Sequence, residues 1–373
     1  MKQQERRTWA EISLPNLEHN YRALRALLPE GCRFLGVVKA DAYGHGAVPV
    51  ARKLEELGAE YLAVACLAEA RELREAGCSP RSCSGLAHQL RGGVAALWVD
   101  PDGHDLESAR AFSAAAQAAG RRLRIHVKAD TGMSRLGWLC DEGHRTEAAD
   151  AIAAVCALPG LEMEGIYTHF ANADGDEAYT MGQFTRFLEL LSELEGRGIT
   201  FPIRHCAASA AVLKYPCTHL DMVRPGVALY GHYPDPSCEG LDGVGLRPVM
   251  ALKTRVASVK AVPAGTPVSY GCTHVLERDA ELAALTVGYA DGLPRLCSDQ
   301  LEVLIRGQRA PIVGRVCMDM CMADATGLGA APGDEVELFG EHLPVEDAAA
   351  LAGTIQYELL CAVSPRVPRE YLN

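Results

Sequence analysis

A lysine stands at the end of a short apolar run, Arg33–Val38, and the loop Ala40-Asp41-Ala42-Tyr43-Gly44-His45-Gly46 follows it. An amine held at a buried strand end is partly stripped of water, which lowers its pKa and makes it a nucleophile. On position alone Lys39 could equally be a solvated lysine just past a buried strand. Further on, Ser209 lies within His205–Ala211, and Arg224-Pro225-Gly226-Val227 follows Met222 and Val223. A hydroxyl beside a loop or helix start with exposed backbone N–H groups can hold a phosphate. Ser209 could also be only a helix N-cap. Gly44 and Gly46 begin like a dinucleotide-binding loop, but Pro49 occupies the third glycine's place, so no nicotinamide fingerprint is present. Cys317 and Cys321 have no second pair and no histidine at zinc spacing, which argues against a metal site.

The elements that would position these residues alternate in type. Thr8–Leu14 alternates apolar and polar residues as a strand does, and Ser13 precedes a helix start near Pro15 with Leu17, Tyr21, Leu24 and Leu28 on one face. After the strand that ends at Lys39, the pattern predicts a helix over Val48–Leu57 closed by Gly58. A strand over Tyr61–Ala65 and a helix over Ala68–Ala76 stopped by Gly77 come next. Strand runs at Arg124–Lys128, Met163–His169 and Ile203–Ala207 continue the rhythm. Strand and helix in alternation imply a parallel sheet with helices outside, and its repetition implies an α/β fold, a (β/α)8 TIM barrel, over residues 12–238. Residues 80–105 break the rhythm, with no β-branched run before Val94–Val99. Beyond residue 239 short valine-rich runs separated by Pro263-Ala264-Gly265 and Pro332-Gly333-Asp334 predict a C-terminal all-β domain, joined by residues 1–11. The proline- and glycine-rich stretch Gly231–Gly245 is the expected linker. In such a barrel Lys39 stands at a catalytic strand end, and Ser209 and Arg224 stand late, where phosphates are held. A lysine with a late-barrel phosphate cup suggests pyridoxal phosphate.

Composition narrows the class. At 373 residues two domains are expected, and 49% apolar residues suffice for large cores. The net charge of −12, with no basic patch, disfavours nucleic acid as a partner. No apolar run approaches a membrane span, and Met1–Arg7 leads into no signal-like apolar stretch. The 14 scattered cysteines then read as reduced thiols of a cytoplasmic protein.

Seven blocks, in order, resemble the alanine racemase family of barrel-class pyridoxal-phosphate enzymes: Val37–Gly46, His126–Gly137, Tyr167–Phe170, Arg224–Gly226, Val268–Gly271, Gly288–Gly292 and Arg315–Asp319. The resemblance covers nearly the whole chain. It implies a homodimer that interconverts L- and D-alanine by two bases and supplies D-alanine for cell-wall peptidoglycan. Lys39 would hold pyridoxal 5'-phosphate as a Schiff base and act as base on the D-face of Cα. Tyr270 of the partner subunit would act on the opposite face. Arg224 would bond the pyridine nitrogen with His169 behind it, while Tyr43, Ser209, Gly226 and Val227 serve the phosphate. Arg135 would face the substrate carboxylate, and Lys128 matches a lysine that is carbamylated to orient that arginine. Met318 and Asp319 would reach the site from the other subunit, and Asp174, Tyr289, Arg295 and Arg315 match the entryway. Racemisation needs groups on both faces of Cα, and lysine and tyrosine are both poor bases near neutrality unless perturbed.

Two positions depart from the family pattern. Ala208 stands where an asparagine is frequent, and Pro365 where some members have a tyrosine near the phosphate. A serine racemase of the same family is the alternative, and a non-catalytic pyridoxal-phosphate carrier a weaker one, disfavoured by the β domain and Tyr270. A barrel decarboxylase is disfavoured because no glycine-run phosphate loop follows a histidine.

Overall fold

The computed structural model describes residues 7–78, 84–85, 100–103 and 105–373, which fall into two compact units. One unit comprises Glu18–Ala42 and Ala47–Leu246. Among its described residues, parallel strands run in the order Met222–Val223, Arg33–Val37, Tyr61–Val64, Ser84–Gly85, Asp100–Gly103, Leu123–Asp130, Leu161–Tyr167 and Ile203–His205. The two ends of this order meet. The Asp221 N–H donates to the Arg204 carbonyl at 3.1 Å and the Arg224 N–H to that of Ala207 at 2.9 Å. Among the described residues the ring of strands therefore closes, the (β/α)8 barrel expected from the alternation.

Local sequence explains most of the elements. The Ser13 hydroxyl accepts the Asn16 N–H at 3.2 Å and so starts the helix Leu14–Ala26, whose Leu17, Tyr21 and Leu24 are buried. Helices Ala47–Leu57 and Leu67–Glu75 match expectation within a residue. The irregular stretch 80–105 lies largely outside the described residues. Its strands Ser84–Gly85 and Asp100–Gly103 take the places between Tyr61–Val64 and Leu123–Asp130. The linker stretch holds two short 3-10 turns, Pro236–Cys238 and Leu241–Gly243, and stays with the barrel, the division falling after Leu246. Barrel interiors are normally filled by branched apolar side chains. Leu35, Ile203 and Met222 do this here, with Val37, Tyr61 and Ala63 against them. Yet His126, Lys128, Asp130, His205 and Arg224 are also buried in this unit, and such groups persist in a core only when paired.

The second unit holds the chain up to Leu17, Tyr43–Gly46 and Arg247–Asn373. Its main sheet runs Gln308–Pro311, Glu302–Ile305, Glu335–Phe339, Met250–Val262, Thr8–Ser13 and Arg369–Leu372. The long strand Met250–Val262 bends at a bulge between Val256 and Ser258 and continues into a second ladder with Ala280–Leu285, which pairs Cys321–Asp324. A bulge is the usual way to turn one strand between two sheets. Val268, Leu276, Ala280, Leu282 and Val313 form a core cluster in this unit. Two short helices, Val345–Leu351 and Gln356–Ala362, are added to the strands. Gly44 and Gly46 are required here by close approach: a Cβ on the first would strike the Leu360 carbonyl and on the second the Tyr371 hydroxyl.

Candidate active site

In the barrel unit the apolar strand ends at Val37, two residues before Lys39. The chain then turns left-handed, with φ of 53°, 54°, 53° and 54° at Ala40, Asp41, Ala42 and Tyr43. A left-handed turn costs L-residues about 1–2 kcal/mol each, and such strain persists only where its surroundings enforce it. Three bonds do so: Ala42 N–H to Val38 O at 2.9 Å, Ala40 N–H to Glu69 Oε1 at 2.8 Å, and Ala47 N–H to Asp41 Oδ1 at 2.7 Å. Lys39 is thereby fixed at the mouth of the turn.

Around it stand the other predicted cations. Burial, and then the charges of Arg224, Lys128, Arg135 and Lys39, hold the His169 pKa well below its usual value. Four of the predicted cationic residues thus converge on one neutral imidazole. Arg224 is 8% exposed and donates to His205 Nδ1 at 2.8 Å, His169 Nδ1 at 3.0 Å, and the carbonyls of Thr168 and Cys206 at 2.9 and 3.1 Å. Lys128 is buried with its Nζ 4.9 Å above the Tyr167 ring and 3.3 Å from the Ala129 carbonyl. Gly137, at φ 101°, makes room for it, since a Cβ there would stand 2.7 Å from Lys128 Cγ. Asp130 takes the N–H groups of Gly132, Met133 and Ser134 at 3.0, 2.9 and 3.1 Å and shapes the turn leading to Arg135.

Ser209 is not the N-cap. It is the first residue of the helix Ser209–Lys214, Ala208 holds the cap position, and the Ser209 Oγ accepts the N–H groups of Gly226 and Ala228 at 2.9 and 3.3 Å. Val227 is buried in the 3-10 turn Val227–Tyr230. Two backbone donors and a hydroxyl therefore meet at one point. Asp174 accepts the Lys214 ammonium through its carbonyl at 2.8 Å.

The second unit carries the remaining residues. Tyr270 opens a strained turn, with positive φ at Ser269, Gly271 and Cys272 of 63°, 77° and 51°. The Ser269 hydroxyl anchors it on the Arg315 carbonyl at 2.7 Å, and the Arg315 guanidinium lies against Gly271. Tyr270 is 71% exposed. It borders a hollow of about 530 Å³ lined by Ser269, Cys317, Met318, Asp319, Met320 and Met322. The loop bearing Met318 is tied down by Tyr289 N–H to Cys317 O and Ala290 N–H to Met318 O, each 3.0 Å. Asp291 is 1% exposed and binds Arg7 twice at 2.9 Å and Arg366 at 2.8 Å. Both arginines also engage Asp319. Arg295 is exposed at the start of the turn Arg295–Cys297. Tyr43 falls in this unit, 6.2 Å from the Tyr357 ring, and burial pushes its phenol well above the usual value.

The family models for the alanine racemase N-terminal and C-terminal domains match residues 12–234 and 249–371. The chain belongs to the alanine racemase family. Family membership makes it an isomerase. It is 47% identical over 370 residues to the alanine racemase of Desulforamulus reducens, covering 98% of this chain and 99% of that one. It is 46% identical over 374 residues to that of Desulfovibrio desulfuricans, covering 99% of each. Among solved structures, alanine racemase from Streptomyces coelicolor A3(2) matches with a TM-score of 0.92 at 37% identity, covering 98% of both chains. That from Clostridium difficile 630 matches at 0.91 and 38%, covering 98% of this chain and 95% of that one.

Several residues of these sites escape motif reading. Glu69 braces the Lys39 turn from 29 residues away. His126 and His205 lie buried behind Arg224, and Arg7 and Arg366 close on Asp291 across 284 and 75 residues. The available signal was charge inside apolar runs: Arg124, His126 and Lys128 alternate along one barrel strand, and alternate residues share a face.

Proposed function

We propose that the protein interconverts L- and D-alanine with pyridoxal 5'-phosphate as cofactor, as a homodimer whose active site combines Lys39 of one copy with Tyr270 of the partner subunit. The observation that carries this is Arg224, buried and hydrogen-bonded to His169 at 3.0 Å, with the charges of Lys128, Arg135 and Lys39 acting on the same imidazole and the Gly226 N–H meeting the Ser209 hydroxyl two residues on. So cation-rich a site suits a ligand bearing phosphate and carboxylate groups, and it contains the lysine a Schiff-base cofactor needs. The residues present therefore fit the cofactor.

Bound, pyridoxal phosphate supplies an electron sink that loosens the Cα proton of an attached amino acid. The chain's own residues do the rest. Ser209, with Tyr43, Gly226 and Val227, would hold the phosphate. Arg224 would donate a hydrogen bond to the ring nitrogen but stay protonated, so it would give no full proton and keep the sink weak, which would limit side reactions. Arg135 binds the substrate carboxylate. Carbamylation of Lys128 would turn a buried cation into an anion and pair it with Arg135. Lys39 takes or gives the Cα proton on one face and Tyr270 of the partner subunit on the other.

Exposure supports the second copy. Tyr270, Met318 and Met320 are 71%, 53% and 45% exposed on one chain, and apolar exposure of this kind marks a surface that another chain covers. On this reading Met318 and Asp319 border the partner's substrate, and Asp174, Tyr289, Arg295 and Arg315 line the entry. No helix among the described residues is long and apolar enough to cross a membrane. On this reading the protein would supply D-alanine for the cell wall from the cytoplasm. The test is the optical activity of L-alanine with purified protein and cofactor, and of L-serine in parallel. Decay for alanine to a racemic mixture, with an absorbance band from protein-bound cofactor, is expected. Unchanged rotation would refute the proposal.

A further inference from the structure

Behind Arg224 stands a file of polar side chains, with His205 and His126 buried and Glu164 11% exposed. His205 Nε2 lies 2.8 Å from His126 Nδ1, and His126 Nε2 lies 3.2 Å from Glu164 Oε2. The other Glu164 oxygen takes the Arg124 guanidinium at 2.9 Å and the Tyr61 hydroxyl at 3.1 Å. We propose that Glu164 is a positioning residue that sets the proton order of this chain and thereby fixes Arg224 toward the ring it serves. The proposal rests on the role given above to Arg224.

The order follows from donors and acceptors. A guanidinium only donates. Arg224 Nη1 is 2.8 Å from His205 Nδ1, so that nitrogen accepts and the His205 proton sits on Nε2. Nε2–H then donates to His126 Nδ1, which leaves the His126 proton on its own Nε2, pointing at Glu164. Every link runs one way, and it can do so because it ends on an oxygen that only accepts. Burial, and then the Arg224 charge, hold His205 neutral, in agreement. The Tyr61 phenol, buried beside the carboxylate, is pushed up to about 12 and remains a donor.

Two backbone features are shaped for this file. The pairing of Leu123–Asp130 with Leu161–Tyr167 slips between Ile125 and His126, so Met163 faces Ile125, Gly165 faces His126, and Glu164 is the extra residue. A bulge re-aims a side chain, here onto the histidine. Gly165 clears the space beside it, since a Cβ there would stand 2.5 Å from His126 Nδ1 and 2.6 Å from its Cε1. The groups facing the file are accounted for: Tyr61 lies edge-on to His126 at 6.3 Å, Tyr167 stacks on His205 at 4.9 Å, and Lys128 and Arg224 lie over Tyr167 at 4.9 and 5.3 Å.

Without Glu164, nothing holds the His126 proton on Nε2. Moved to Nδ1, it opposes the Nε2–H of His205. If His205 shifts in turn, its Nδ1–H opposes Arg224. Nitrogen-15 spectra of histidine-labelled holoenzyme read this directly. Wild type should show the Nε2–H tautomer for both His126 and His205. Glu164→Leu should lose that pattern, shift the cofactor absorbance and lower kcat about 10–100-fold, the usual scale for an outer partner of a site residue. Glu164→Gln keeps an accepting oxygen and should retain the pattern with a smaller loss. Arg124→Met breaks the ion pair but spares the file, and should match wild type in spectrum and kcat.

If Glu164→Leu does not fold, Gly165→Ala displaces His126 with the carboxylate intact and should give the same spectral change. Wild-type tautomers and kcat in a folded Glu164→Leu would overturn the proposal. So would an Arg124→Met protein that reproduces its losses, or an unchanged Gly165→Ala where that variant must decide. Wild-type protein without cofactor-dependent racemisation would instead refute the function, while the histidine spectra would still report on the file.

Discussion

Asp291→Asn removes one charge from the most buried ionic cluster of the strand unit. The carboxylate is 1% exposed and takes four donors: Arg7 Nη1 and Nη2 at 2.9 Å, Arg366 Nε at 2.8 Å and the Gly288 N–H at 2.9 Å. An amide in its place offers one acceptor where there were two and turns N–H groups toward guanidinium groups. Breaking a buried ion pair on one side costs about 3–5 kcal/mol. Here the arginine side chains are 38% and 40% exposed and can rehydrate, so the loss falls to about 2–4 kcal/mol. At about 2–4 °C per kcal/mol for domains of 150–250 residues, calorimetry should find the melting point of this unit lowered by roughly 5–15 °C. The same arginines hold Asp319, so KM for alanine should rise more than kcat falls. A melting point within about 2 °C of wild type would refute the reasoning, because the cluster would then carry no net stability.

Other outcomes follow from the barrel. His169 and His205 are held neutral in the fold, with pKa values well below 6.5, whereas the unfolded chain binds protons there as pH falls below about 6.5. Their contribution is therefore fully present above that pH and is lost on acidification, by up to about 1.4 kcal/mol per pH unit for each group, and denaturation midpoints from pH 7 to 5 should fall with that sign. Lys39→Ala should abolish racemisation and the absorbance of covalently held cofactor together, and a mutant that keeps that absorbance removes Lys39 from its role. Carbon-13 bicarbonate should give wild type a carbamate signal that Lys128→Ala lacks, and its absence from active wild-type enzyme would exclude carbamylation.

The barrel could be read from the sequence because several of its parallel strands, such as Arg33–Val37 and Tyr61–Val64, are short apolar runs that alternate with helical stretches. Lys39 stood out for the same reason, as a cation where such a run stops. The left-handed turn after it could not be read, since Ala40 and Ala42 favour the right-handed helix and the restraint comes from distant Glu69. Glu164 was hidden by its bulge: alternation along Leu161–Tyr167 assigns side chains to faces only while the register holds. Asp291 was visible within a motif, but its partners Arg7 and Arg366 come from the two ends of the chain, and no local pattern joins them. Sequence marks Ser209 as a hydroxyl near a glycine turn, and only the fold distinguishes a cap from an acceptor of Gly226 and Ala228.

The proposed sharing of the active site between two copies is tested most directly by complementation. Lys39→Ala and Tyr270→Phe chains, each nearly inactive alone in the L-to-D direction, are mixed, dissociated and allowed to reassociate. Half of the dimers would then be mixed, and each mixed dimer would hold one site with both Lys39 and Tyr270, so activity should return to roughly a quarter of wild type. No recovery after verified subunit exchange would mean that the two residues act within one chain.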